Sequence, residues 1–338
     1  MYPAHLIRAP MRIGDAIDPA DRVRGRSWAG TLPLLMEILA NDILPDGTTD
    51  ASERPSRLLK SLGAVPYLRL RTTEQVGDLP IHCEVFASAP AAPLLVFLPG
   101  ISTYSALYAK MLYRLSQHGF NVVGIDLRGH GHSGGPRGEY TVEAVQEDVR
   151  AVIDHFAPRF GGPVMLYGYS IGAPLALAAA ENDERVKALL CHTLFVSEHA
   201  PDLLHLWGWH WLRYLSFFAP HMHLTLQRLF RLQDLIPQRR FHKLIDKDPL
   251  LVNSYPLMTF SSVFNRRTRV AHEELPFRAA IISGDQDELV SFGYLERLVS
   301  TLTHPFELIP IAGGTHMLPF WQPEHCAELA AEWLRREP

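Results

Sequence analysis

From Tyr67 onward, short apolar runs alternate with longer stretches in which apolar residues recur every three or four positions. Leu94–Leu98 is apolar throughout and stops at Pro99-Gly100, the pattern of a strand buried on both faces. Asn121–Asp126, Val164–Tyr167, Lys187–His192, Arg278–Ser283 and Phe306–Pro310 give the same signal in more mixed form. Tyr67–Thr72 alternates like a half-buried strand and Ile81–Ala87 does so less cleanly. No helix separates these two, so they predict an antiparallel hairpin. Helical spacing appears at Leu107, Met111 and Leu115, where Gly119 can end the helix, and at Val142, Val145, Val149, Val152 and Phe156. Ile171–Ala180, Phe292–Val299 and Glu324–Leu334 read as further helices. Strands alternating with helices predict an α/β fold, with a mostly parallel central sheet and helices on both faces.

Two regions break the alternation. Residues 1–65 hold one amphipathic helical pattern, Leu32–Leu44, among charged and Pro/Gly/Ser/Thr-rich pieces, and read as an N-terminal extension. Residues 194–269 are rich in helix formers, aromatic residues and histidine. They read as a helical cap inserted into a core made of residues 66–193 and 270–338, over the sheet edge where loops build sites. Leu203, Leu204, Trp207, Trp211, Leu215 and Phe218 form an apolar stripe within that cap. The stripe serves as cap core, with part of it available to an apolar acyl group.

Composition narrows the function classes. The chain has 338 residues, 47% of them hydrophobic and 20% charged, with a net charge of −4. A large core is affordable in such a chain, and charge offers no attraction to nucleic acid or anionic membranes. Cys83, Cys191 and Cys326 are odd in number and far apart, which points to a reducing compartment rather than a disulfide framework. The first residues carry prolines and charges where a secretion signal needs an apolar run, and no segment approaches a membrane span. A cytoplasmic protein without stable membrane insertion is the expectation. The pairs His130/His132 and His221/His223 lack a further ligand at metal spacing, so no metal is expected. The glycine-rich Arg128–Gly138 lacks the Gly-Lys-Ser/Thr of a phosphate loop, and no cofactor is implied. Nothing in the sequence speaks to oligomeric state.

The chemistry concentrates at Gly168-Tyr169-Ser170-Ile171-Gly172, which fits G-x-S-x-G between a predicted strand and a predicted helix. A sharp strand-to-helix turn presses backbone against Gly168 and Gly172, where only a residue without Cβ fits easily. It also pushes the Ser170 hydroxyl out above the sheet. Pro174 falls in the first helical turn, where its missing N–H costs nothing. The N–H of Ile171 is left at a helix N-terminus, ready for an anion. A serine hydroxyl needs a base. His316 follows the last predicted strand, and Asp287 follows the strand before it, with Asp285 and Glu288 as alternative acids nearby. Nucleophile, acid, base is the chain order of an α/β-hydrolase.

With those residues in view, the chain from about Tyr67 to its end resembles the α/β-hydrolases. The branch it resembles most is that of monoacylglycerol lipases and lysophospholipases, often labelled serine aminopeptidase-like. The resemblance rests on Phe97–Gly138, on GYSIG, on SGDQDELV and on GGTHM; Asp126–Ser133 within the first is shared by many chemistries of the fold. It implies an acid three residues after a glycine, which selects Asp287 over Asp285. It also implies a second oxyanion donor at Ile101, although Pro99 stands where the family has histidine before Gly100. The expected activity is hydrolysis of a carboxylic ester with an apolar acyl group, a small-molecule or lipid-like substrate. An acyltransferase or amidase/peptidase using the same triad, and a non-catalytic binder on a hydrolase scaffold, are the alternatives.

Overall fold

The computed structural model describes residues 56–199, 209–226, 235–236 and 239–336. The expected helix at Leu32–Leu44 and the stripe residues Leu203, Leu204 and Trp207 lie outside these residues, as does the side chain of Trp211. Eight strands form the central sheet: β1 (Thr72–Val76), β2 (Ile81–Phe86), β3 (Leu94–Leu98), β4 (Asn121–Ile125), β5 (Val164–Tyr169), β6 (Val186–His192), β9 (Arg278–Gly284) and β10 (Phe306–Ile311). Their spatial order is β1-β2-β4-β3-β5-β6-β9-β10. The β1/β2 and β2/β4 pairs are antiparallel and the rest are parallel.

Alternation along β3 shows how the sheet is covered. Leu94, Val96 and Leu98 pack into one apolar cluster, while Leu95 and Phe97 pack into the other. The first cluster takes in helices α4 (Val142–Phe156), α5 (Gly172–Ala180) and α9 (Phe292–Thr301). The second takes in α3 (Ala109–Gln117) and α11 (Pro323–Leu334). On α4, Val142, Val145, Val149, Val152, Ile153 and Phe156 are buried, and Thr141 caps the N-terminus by accepting the Ala144 N–H at 3.2 Å. Burying each such side chain contributes about 1.5–3 kcal/mol before entropy is counted.

Two expectations change. Tyr67–Thr72 is not a strand: a helical turn, α2 (Val65–Leu68), opens on Pro66, and Tyr67 packs on Tyr113 with ring centroids 5.5 Å apart. Tyr67 and Leu68 pack against the second cluster while Leu70 is exposed, and the first strand is the more polar Thr72–Val76 at the sheet edge. The segment after β6 is not purely helical. It carries α6 (Trp209–Phe218), α7 (Arg239–Ile245) and α8 (Leu257–Asn265), together with an antiparallel ribbon of β7 (His223–Thr225) and β8 (Ser254–Pro256). Phe218 of the apolar stripe is 81% exposed. A short helix, α1 (Arg57–Ser61), precedes the sheet and buries Leu58 and Leu59 in the second cluster.

Because β4 and β5 flank β3 on opposite sides, the chain leaves β3 at the point where the strand order reverses. Loops beyond the carboxyl ends of strands at such a point form a cleft. Pro99, Ser170, Thr193, Asp287 and His316 all follow the ends of β3, β5, β6, β9 and β10.

Candidate active site

Ser170 sits between β5 and α5 with φ +53°, one of few non-glycine residues in the left-handed region among those described. That conformation is sparsely populated and persists only when its surroundings impose it. The imposition is local. A Cβ on Gly168 would lie 2.3 Å from the carbonyl oxygen of Gly172, and one on Gly172 would lie 2.3 Å from that of Leu98. The Ser170 N–H is fixed by the carbonyl of His192 at 3.0 Å.

The acid and base turns close on each other in the same way. A Cβ on Gly284 would meet the Gly314 carbonyl oxygen at 2.1 Å, so the β9 and β10 loops touch backbone to backbone. Asp287 Oδ2 lies 2.8 Å from His316 Nδ1, and His316 Nε2 lies 3.0 Å from Ser170 Oγ. A carboxylate only accepts, so Nδ1 carries the proton and Nε2 is left to accept the serine hydroxyl. Asp287 is further held by the N–H groups of Leu289 and Val290, both at 2.8 Å, and by the Thr193 hydroxyl at 2.9 Å. Burial alone would push its carboxyl up, but His316 and those two N–H groups outweigh burial and hold it below an ordinary aspartate.

The alternative acids have other partners. Asp285 Oδ1 accepts the Gly313 N–H at 2.8 Å, and Glu288 accepts the backbone N–H of His316 at 3.1 Å. Geometry therefore brings Asp287, and neither neighbour, to the imidazole. Tyr169 supports the ring: its hydroxyl donates to the His316 carbonyl at 2.9 Å, with the two rings 5.5 Å apart.

Pro99–Thr103 forms the opposite wall. A Cβ on Gly100 would lie 2.8 Å from the Tyr169 ring, which brings this loop against the serine turn. Proline has no N–H; Gly100 N–H donates to Tyr108, Ser102 N–H to Tyr255, and Thr103 N–H to the Gly100 carbonyl. Among the described residues, the N–H of Ile101 has no acceptor, and neither has that of Ile171 at the start of α5. Two unspent donors beside one serine are what a developing oxyanion requires.

Thr193 carried no motif, and the contacts of Tyr169 and Glu288 with the His316 backbone were not legible from the motifs that contain them. Thr193 has φ +66° and its only sequence signal is its place directly after a predicted strand. Among the described residues, no His/Cys/Asp/Glu group could hold a metal ion, and no helix is long and apolar enough to cross a membrane. The three cysteines are buried and unpaired.

Comparisons with known proteins bear on the family and the fold. The chain is 31% identical over 117 residues to 2-(acetamidomethylene)succinate hydrolase of Mesorhizobium japonicum, covering 34% of this chain and 41% of that protein, so the match spans less than half of the relative's length. It is 25% identical to Protein ABHD8 of Bos taurus over 94% of this chain and 73% of that one. The fold superposes on the monoacylglycerol lipase of Paleococcus ferrophilus with a TM-score of 0.62 and 22% identity, over 76% of this chain and 98% of the lipase. At that identity the superposition speaks to fold alone. Residues 89–320 match the Hydrolase_4 family, serine aminopeptidase S33, and the chain belongs to that family of α/β-hydrolases.

Proposed function

We propose that this protein is a serine hydrolase that cleaves carboxylic esters with an apolar acyl group through an acyl-enzyme. The reading is carried by the hydrogen-bonded line Asp287–His316–Ser170 ending on a serine at φ +53°. In this mechanism Ser170 Oγ attacks the ester carbonyl while His316 Nε2 takes its proton. The N–H groups of Ile101 and Ile171 hold the tetrahedral oxyanion. His316 then returns the proton to the departing alcohol, and Asp287 fixes the ring and stabilises the imidazolium. Water, deprotonated by the same histidine, attacks the acyl-enzyme and releases the acid and free Ser170.

An apolar groove supports the acyl preference. It is lined by Leu58, Phe241, Ile245, Leu251, Met317 and Phe320, among others. Met317 adjoins His316, and Thr103, two residues beyond Ile101, also lines the groove. Phe241, Ile245 and Leu251 belong to residues 194–269, which we assign as a cap on the core of 66–193 and 270–338. Leu58 of α1 and Leu62 just after it line the same wall. Lipases of monoacylglycerols share the fold, which fits a lipase- or lysophospholipase-like substrate. The family's aminopeptidase label favours an amide as the second reading.

A panel of p-nitrophenyl esters of rising acyl length, run beside the matching anilides, tests this. Ester kcat/KM is expected to rise with chain length, at most about fourfold per methylene, until the groove is filled. Cleavage of anilides alone, or a rate falling steadily from acetate upward, contradicts the acyl-ester reading.

A further inference from the structure

We infer that residues Val252–Tyr255, far from the triad in sequence, hold the oxyanion loop in its working geometry, with Tyr255 and His130 as positioning residues for the N–H of Ile101. The inference rests on the hydrolase reading above. Its starting point is Ser102, the residue after Ile101, which is 1% exposed and has φ +71°. A serine does not adopt that conformation unaided. Three bonds from one short segment grip it. Its N–H donates to the Tyr255 hydroxyl at 2.7 Å, its carbonyl accepts the Val252 N–H at 3.0 Å, and its Oγ reaches Asn253 Oδ1 at 3.5 Å. Pro99 contributes no N–H at the loop's entrance, so the loop's placement depends on tethers further along.

The first tether is itself braced. Tyr255 Oη lies 2.7 Å from His130 Nε2, and His130 Nδ1 lies 3.0 Å from the carbonyl of Arg128. The directions can be assigned. A backbone carbonyl only accepts, so Nδ1 bears the hydrogen. In the neutral ring Nε2 then accepts, Tyr255 O–H donates to it, and the phenol oxygen is free to receive the Ser102 N–H. Every link is satisfied only while His130 is neutral. Burial keeps it so, lowering its pKa to about 4. The surrounding loop cannot drift: a Cβ on Gly138 would lie 2.4 Å from the Ser254 carbonyl oxygen, and Arg137 donates to the Leu250 carbonyl at 2.8 Å. His130 thus has a task that neither metal binding nor direct catalysis requires. It orients a tyrosine that orients the loop presenting Ile101.

The test is Tyr255→Phe, which leaves the ring and removes the acceptor of the buried Ser102 N–H. Deleting an oxyanion donor outright costs about a hundred- to a thousandfold in kcat. Displacing one is expected to cost about ten- to a hundredfold, with KM for p-nitrophenyl butyrate within about twofold of the parent. Affinity for a boronic acid, which mimics the tetrahedral intermediate, should fall in parallel with kcat. His130→Ala should show the same pattern. His130→Gln, whose amide oxygen can accept the Tyr255 hydroxyl, should recover most of the loss. A Tyr255→Phe protein with parental kcat and boronate affinity overturns the inference, as does a lower melting temperature with unchanged kcat per folded molecule. If Tyr255→Phe fails to fold, the His130→Ala and His130→Gln pair decides: equal losses in both overturn it. Loss of all Ser170-dependent esterase activity in the parent protein would instead count against the hydrolase reading, so the two failures are distinguishable.

Discussion

The two walls of the site are built by different means. On the serine side, the tightest constraints are steric, glycine against backbone. Gly168 and Gly172 press on backbone within a few residues of Ser170 or on the adjoining strand end, and Gly284 meets Gly314 where two neighbouring strands finish. On the oxyanion side, the residue after Ile101 is held by hydrogen bonds from afar. Ser102 is held by Val252, Asn253 and Tyr255, and Tyr255 by His130. A turn enforced by steric contact leaves its requirement in the local sequence as glycine. A loop enforced by remote hydrogen bonds leaves no local trace, because any serine can donate its N–H.

That contrast can be broken by substitution. The largest effect belongs to His316→Ala, which removes the base and is expected to lower kcat by about a millionfold, measured by ester hydrolysis with active-site titration. Asp287→Asn should cost about ten-thousandfold by presenting the wrong tautomer, whereas Asp285→Asn, lacking contact with the ring, should stay within a few-fold. Gly172→Ala forces a Cβ onto the Leu98 and Pro99 carbonyls and should destabilise the fold by about 1–3 kcal/mol or more, seen in urea unfolding.

Acid separates the walls further, since each holds a buried neutral histidine. Burial lowers His130 to about 4 and His192 to about 3, His192 being also disfavoured by His316. Both folded values lie below the unfolded value near 6.5, so the unfolded chain takes up the protons first. Stability is full above about pH 6.5 and declines as pH falls toward 4 and then 3, by about 3 kcal/mol for His130 alone. Asp287, also lowered, adds its loss only in the more acid range below an ordinary aspartate. Urea midpoints at pH 7, 5.5 and 4.5 should fall in sequence, and His130→Gln should flatten that slope; a flat parental series contradicts the neutral assignment. The smallest effect is that of Thr193→Val, which removes one hydroxyl from Asp287 Oδ2 and should cost about 1 kcal/mol, or roughly fivefold in kcat.

Much of the frame was legible because its signals are periodic or local. The alternating faces of β3, the apolar stripe of α4 and the glycines around Ser170 each state their own requirement. Choosing among Asp285, Asp287 and Glu288 was different. Three carboxylates within four residues are separated only by the turn that aims them, and the family resemblance supplied the choice that geometry then reproduced. Tyr67–Thr72 misled because alternation of residue types does not by itself bury a face: Leu70 is exposed and Tyr67 packs on a helix. The link from Tyr255 to Ser102 was invisible, as it joins residues 153 positions apart through one hydroxyl.

The central claim is that Ser170 is the nucleophile. Intact-mass and peptide mapping of the protein after treatment with a fluorophosphonate tests it most directly. The account predicts a single adduct per chain, located on Ser170 and absent from Ser170→Ala and His316→Ala. An unlabelled parent protein, or an adduct on another residue that persists in Ser170→Ala, would contradict it.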